Sequence, residues 1–208
     1  YQLTKASCPF LIGATRVVNQ VPGHAQQCIN FNQEVLQMVM SDKIDEVVIS
    51  AYWDSGMSLL PGAGFREVGH PEKSNLEALQ AGMDRVIAQL KQAGKKVTVI
   101  EDAPSVEVDP LRYSNNRNMP LRRELSAWLG KWESPPLLSE RTKLFQFPEE
   151  AVEKLLQSYK QQGVRVLSLR ENLCNEQGCM ITSGGLPLYY DNNHLSPAGG
   201  DIALGKNW

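Results

Sequence analysis

Nowhere among the 208 residues does an apolar run approach the roughly 20 residues that span a bilayer, so no membrane-crossing helix is expected in this segment. A surplus of positive charge is also missing. Lys and Arg number 21 against 23 Asp and Glu, a net charge of −2. Nucleic-acid binding usually needs a basic face, so this balance argues against nucleic acid as the main partner. Internal repeats, low-complexity tracts and a linker long enough to divide the chain are absent. No charged start followed by a short apolar stretch opens the chain, which begins at Tyr1 rather than Met. The expectation is a mature domain or a piece of a longer protein. What is present is ordinary for a folded protein: 42% hydrophobic and 21% charged residues, against a disordered tail or a fibre. The length suits one domain over residues 1–208.

Cysteine is sparse, and its placement is informative. Cys8, Cys28, Cys174 and Cys179 form two local pairs. An even count suggests disulfides, although four cysteines allow three pairings. The favoured set is Cys8–Cys28 and Cys174–Cys179, the second closing a small loop over Asn175, Glu176, Gln177 and Gly178. Four unpaired buried thiols are the alternative. Zinc is disfavoured, since neither pair has C-x2-C spacing and His24 and His70 lie in no ligand pattern. Disulfides would place the domain in an oxidising compartment, the periplasm or the cell exterior.

Secondary structure reads as an alternation. Asp45 to Ser50 is a β-branched run suited to a buried strand. Before it, Asn32 to Met40 carries Val35, Leu36 and Val39 at helical spacing. After a Gly-rich loop from Ser55 to Gly69, Ser74-Asn75-Leu76-Glu77 predicts a capping box. Leu76, Leu79, Met83, Val86, Ile87 and Leu90 then share a helical face, and Gly94 ends the helix. Lys96 to Ile100 is the next strand. An irregular stretch from Asp102 to about Asn118 follows, then a short helix over Leu121–Leu129. Pro148 opens another helix, with Glu149 and Glu150 in its first turn, apolar positions at Val152, Leu155, Leu156 and Tyr159, and a stop at Gly163. Val164 to Leu169 is a third strand. Strand, helix, strand, helix, strand builds an α/β domain with a parallel sheet.

Ligands in open α/β sheets bind beyond the carboxyl ends of the strands. Three stretches fall there: Ala51-Tyr52-Trp53-Asp54, Glu101-Asp102-Ala103-Pro104, and the tail. In the tail, Ser196 and Pro197 read as an N-cap followed by proline at the first helical position. Asp191 and His194, three apart just before it, can reach each other. A carboxylate on one ring nitrogen fixes the tautomer and leaves the other free to take a proton, the equipment of a general base. A loop histidine with a capping aspartate is the plainer reading of the same spacing. Arg112, Arg117, Arg122 and Arg123 gather in the irregular stretch and its helix, where a solvated surface outweighs an anion site.

Asp191-Asn192-Asn193-His194-Leu195-Ser196 resembles the last sequence block, D-x-x-H, of the SGNH hydrolase family. The aromatic pair before it, the nearby Cys174 and Cys179, Ser7-Cys8-Pro9 with Cys28, and the strand running from Val47 to Trp53 are similar to one branch. That branch is the periplasmic SGNH domain fused to membrane acyltransferase-3 proteins, which O-acetylate bacterial surface polysaccharides. The resemblance implies a three-layer, flavodoxin-like parallel sheet, with His194 as base and Asp191 as its orienting carboxylate. It implies a glycan acceptor such as lipopolysaccharide O-antigen, an acyl donor delivered by a membrane domain of the same protein, and no cofactor or metal. The family's nucleophile is the serine of a G-D-S motif at the end of the first strand. No G-D-S occurs in these residues, so that strand and its serine are expected upstream of Tyr1. Ser55 and Ser58 lack the motif's context. The family's G-x-N-D block falls at Ala51-Tyr52-Trp53-Asp54, where Trp53 replaces the asparagine that donates to the oxyanion and backbone N–H groups would have to serve. Tyr52, Trp53, Tyr189 and Tyr190 map near the expected cleft, with Tyr52, Trp53 and Tyr190 the expected sugar-stacking aromatics; the plainer reading is that two of the four close the core, as alternate residues of Leu188-Tyr189-Tyr190 would. An acetylesterase using the same residues, or a non-catalytic glycan-binding module, are the alternatives.

Overall fold

The computed structural model describes residues 1–19, 21–41, 43–57, 63–107, 121, 124–125, 128–129, 141–142, 144–146 and 150–205. They fall into two compact units: Tyr1–Asp102 with Pro148–Leu167, and Ala103–Phe147 with Ser168–Trp208.

The first unit contains β1 (Ala14–Val17), α1 (His24–Val39), β2 (Glu46–Ser50), β3 (Gly64–Glu67), α2 (Asn75–Gln92), β4 (Lys96–Ile100), α3 (Glu150–Gln161) and β5 (Arg165–Leu167). Strands β2, β4 and β5 form a parallel sheet in that order, with Val47 opposite Val97, Ile49 opposite Val99 and Val99 opposite Val166. Helix α2 carries the chain from β2 toward β4, and α3 carries it back to β5, as parallel pairing requires. The sequence expectation of an α/β parallel sheet is met. Helix α2 starts at a complete capping box: the Ser74 hydroxyl accepts from the Glu77 N–H, and the Glu77 carboxylate accepts from the Ser74 N–H at 2.8 Å. Its expected apolar face is buried, except that Leu76 is only partly covered. All four expected apolar positions of α3 are buried, and the Tyr159 hydroxyl donates to Asp84 of α2 at 2.8 Å. Burial, then that hydrogen bond, raises the phenol pKa.

Two boundaries differ from expectation. Helix α1 begins at His24, eight residues before Asn32. Its first two turns lack an apolar rhythm and are fixed by long-range bonds instead: Cys28 is bonded to Cys8, and buried Asn32 donates to the carbonyls of Pro9 and Leu11 at 2.7 and 3.1 Å. The third strand stops at Leu167, because Leu169 begins a short helix, α4 (Leu169–Leu173). Pro148 and residues 122, 123, 126 and 127 of the expected 121–129 helix lie outside the described residues; Leu121, Leu125 and Trp128 are helical and exposed.

Strands β1 and β3 pair antiparallel. Gly82 of α2 permits the close approach of β1 and the residues just before it, since a Cβ there would stand 2.9 Å from the Cβ atoms of Ala14 and Leu11. Glu67 of β3 is buried and meets Lys73 at 2.6 Å and also Arg85. Its hydrogen bonds to Lys73 and then Arg85 hold its carboxyl down to about 2. Within the sheet, β2 is an end strand. Glu46, Val48 and Ser50 alternate outward, and Val48 is 39% exposed.

The second unit is built from short pieces. Cys174–Asn175 and Gly178–Met180 form a hairpin, with Cys179 directly opposite Cys174 and bonded to it. Arg141–Thr142 adds to the hairpin's other edge. Ser105–Val106 pairs with Leu144–Gln146, and Thr182–Ser183 with Leu186–Pro187. Helix α4 packs with α5 (Pro197–Leu204), where the Asn172 amide donates to the Ala203 carbonyl at 2.9 Å. Both expected disulfides are therefore formed.

Candidate active site

The tail forms a tight loop between Leu188 and α5. Ser196 caps α5 as expected. Its hydroxyl accepts from the Gly199 N–H at 3.1 Å and donates to the Pro187 carbonyl at 2.7 Å, with Pro197 at the first helical position. The Ser196 N–H donates to the Leu188 carbonyl at 2.9 Å, and the Tyr190 N–H to the His194 carbonyl at 2.7 Å. Gly199 is needed here, since a Cβ would stand 1.9 Å from the Leu188 carbonyl oxygen. The Val106 N–H donates to the Asn192 carbonyl at 2.7 Å and moors the loop to the Ser105–Val106 strand.

Inside this loop, Asp191 divides its two oxygens. Oδ1 accepts the N–H groups of Asn193 and His194 at 2.9 and 2.8 Å; Oδ2 lies 2.7 Å from His194 Nδ1. Partial burial pushes the Asp191 carboxyl up, but the two amides and the imidazole outweigh it and hold it below its ordinary value. An ionised Asp191 is acceptor-only, so the proton shared with Nδ1 belongs to the ring. That tautomer leaves the Nε2 lone pair free. Nε2 makes no hydrogen bond among the described residues, and the His194 side chain is 73% exposed. The pair can therefore accept a proton from a hydroxyl and stabilise the resulting imidazolium. Of the neighbouring aromatics, Tyr190 is 54% exposed and Tyr189 is fully buried, its hydroxyl without a hydrogen-bond partner among the described residues. Burial raises the Tyr189 phenol pKa.

The end of β2 is organised separately, within the first unit. Tyr52 is 41% exposed. Trp53 is not: it is 0% exposed, and its indole N–H donates to the Ile100 carbonyl at 2.9 Å. The expectation of Trp53 as a sugar-stacking surface is corrected, because both ring faces are spent in the core. The backbone substitute for the missing asparagine is corrected too. The Trp53 and Asp54 N–H groups donate to Asp102 Oδ1 and Oδ2 at 2.7 and 2.8 Å, which leaves neither for an oxyanion. The Ser55 hydroxyl donates to the Tyr52 carbonyl at 2.5 Å within the 3-10 turn Asp54–Met57. Ser58 and the four arginines Arg112, Arg117, Arg122 and Arg123 lie outside the described residues.

Asp102 is the residue whose role sequence reasoning missed. Its stretch was singled out as a strand end, but an acid after a strand gives no sign of which amides it will meet 49 residues earlier. A potential metal-ligand set gathers Cys8, His24 and Cys28 within 4.8 Å of one another, but both sulfurs are committed to a disulfide. No helix among the described residues is long and apolar enough to cross a membrane.

The structure is similar to that of the lipopolysaccharide acetyltransferase periplasmic domain of Salmonella ser. Paratyphi A. The likeness has 16% sequence identity and a TM-score of 0.52, and it covers 94% of this chain and 65% of that one, a likeness of fold. No curated protein matches the sequence. The family model for the SGNH domain (fused to AT3 domains) matches residues 1–203, and the chain belongs to that family.

Proposed function

We propose that this domain transfers an acyl group, acetyl in the first instance, to a hydroxyl of a bacterial cell-surface polysaccharide such as lipopolysaccharide O-antigen. The observation that carries the reading is the 2.7 Å contact between Asp191 and His194 Nδ1, with Nε2 left free. Family membership and the likeness in fold to the Salmonella lipopolysaccharide acetyltransferase periplasmic domain support it. The nucleophile is a serine in a G-D-S motif, on a strand that precedes Tyr1 and pairs with the outer edge of β2. Among the described residues β2 ends its sheet, and such a strand would use the backbone N–H and C=O groups of that edge.

In this scheme His194 Nε2 takes the serine proton as the oxygen attacks the donor carbonyl. The acyl–donor bond breaks, and the proton leaves with the departing group. The acceptor hydroxyl then gives its proton to Nε2 and attacks the acyl-serine; the new ester forms and the serine is restored. The acyl donor reaches the site from a membrane acyltransferase domain of the same protein. The two disulfides fit a periplasmic location. Tyr190, in the same unit as His194, offers an aromatic face to the sugar.

The full-length protein, given an aryl acetate with and without lipopolysaccharide from the cells that make it, tests the reading. Acetylated glycan is expected, and loss of it in His194→Ala. Acetate release alone, with no acetylated glycan, would indicate an esterase. No turnover and no labelling by a serine-directed organophosphonate would indicate a binding module. That last outcome has its own support in the occupied amides of Trp53 and Asp54, which deprive this turn of oxyanion donors.

A further inference from the structure

His24 opens α1 directly against the Cys8–Cys28 bond. Its Nε2 lies 3.9 Å from Cys8 Sγ and 3.7 Å from Cys28 Sγ, and its Nδ1 is 3.7 Å from the latter. The local structure accounts for the meeting. His24 and Cys28 are four apart in α1 and share one face. Cys8 comes from a turn in which its N–H donates to the Lys5 carbonyl at 3.1 Å and Ser7 takes a left-handed φ of 57°. A disulfide makes no demand for an imidazole, since its sulfurs are weak acceptors. A metal ion does. Tetrahedral Zn(II), with Zn–S of about 2.3 Å and Zn–N of about 2.05 Å, sets its sulfur and nitrogen ligands about 3.6 Å apart and two sulfurs about 3.8 Å apart. His24 Nε2 already stands within about 0.3 Å of that spacing from both sulfurs. Only the sulfurs have to part, which reduction of their bond permits. The Ala6 carbonyl oxygen, 3.3 Å from the same nitrogen, lies near a fourth position that it or a water can fill.

We propose that Cys8, His24 and Cys28 are a redox-gated zinc site, closed as a disulfide and open to one Zn(II) ion once reduced. Thiolate and imidazole are donors that zinc prefers. The opening step takes two electrons from a dithiol. One of its thiolates attacks Cys8 Sγ, the sulfur of the less buried residue, and Cys28 leaves as a thiolate. The second thiol of the reductant then releases Cys8, and the reductant departs as a disulfide, its two protons passing to the freed cysteines. Zn(II) in turn displaces those protons to solvent as it binds both sulfurs and the ring.

Nothing in this site depends on acyl transfer, so metal uptake rather than turnover tests it. The full-length protein, with Cys174→Ser and Cys179→Ser to remove the other pair, is reduced with a phosphine and titrated with Co(II) as a spectroscopic stand-in for Zn(II). One equivalent of Co(II) is expected to give thiolate charge-transfer absorption and the visible bands of a tetrahedral ion, and Zn(II) to displace it. About two protons should be released per metal at about pH 7. His24→Ala is expected to weaken Zn(II) binding at least about tenfold, while its oxidised form keeps the disulfide and the wild-type circular dichroism. Zn(II) should raise the urea midpoint of the reduced protein and leave that of the oxidised protein unchanged. Absence of the charge-transfer absorption, equal affinity in His24→Ala, or equal uptake by the protein with its disulfide closed overturns the proposal. So does a signal that survives the further replacements Cys8→Ser and Cys28→Ser. If the reduced protein does not stay folded, reduction in the presence of Zn(II) decides: the native circular dichroism should be retained, and unfolding despite the metal overturns the site.

Discussion

Asp191 acts on His194 through an oxygen already aimed by two backbone amides, since its other oxygen is tied to Asn193 and His194 N–H groups. Asp191→Asn keeps the volume but presents an amide to Nδ1 and admits the wrong tautomer. The expected result in the full-length protein is a fall in kcat of roughly 10,000-fold with little change in stability, read from acetyl transfer and urea unfolding on one preparation. Glu67 bears on stability. Its folded carboxyl is held down to about 2 from an ordinary 4.5 by Lys73 and Arg85. The unfolded chain therefore binds the proton first. The triad's contribution is fully present above the ordinary value and is lost as pH falls toward the folded one. Urea midpoints measured from about pH 6 to about pH 3 should fall less steeply in Glu67→Gln than in the wild type. The Asp191–His194 pair was legible in the sequence because its geometry is local, three residues in one turn. Glu67 and Asp102 were not, because their partners come from other elements. Trp53 was misread for a related reason: an aromatic at a strand end can face either ligand or core, and only its indole bond to Ile100 decides which.

Among the elements, those specified by their own spacing were legible. Helix α2 announces itself through its capping box and its apolar face, and its start is where Ser74 predicts. Helix α1 is specified by what it touches. The Cys8–Cys28 bridge spans 20 residues and fastens the N-terminal segment to the helix's second turn. Replacing both cysteines by serine should cost about 3 kcal/mol, as chain-entropy arguments give for a loop of this order. Dithiothreitol should cost the wild type more than the variant by the same amount, since the variant has only the Cys174–Cys179 bond left to reduce. No loss in either case would show that Asn32 and the apolar contacts of α1 suffice. The short strands of the second unit left no period to read, since two- and three-residue pairings repeat no pattern. The Cys174–Cys179 pairing remained visible only because its partners are close in sequence.

For the whole molecule, the alternation of strand and helix was enough to give a parallel sheet, and β2, β4 and β5 supply it. What the pattern did not reveal is that the chain leaves the first unit after Asp102 and returns at Pro148. The proposed strand upstream of Tyr1 makes a prediction at this scale. β2 ends the sheet with Val48 exposed, so a polypeptide that includes the preceding segment should be more resistant to urea than residues 1–208 alone. Its m-value should also be larger, because more surface is buried on folding. Equal midpoints and slopes for the two chains would count against a strand at that edge.

The return at Pro148 also orders events during synthesis. A ribosome must deliver the residues from Glu101 to Val164 after β4 before β5 exists to flank it, so the β5 side of β4 waits unpaired while residues 103–147 pass. Chains ended anywhere in that interval would show β4 with an open flank, a template for unwanted pairing that chaperones would have to cover.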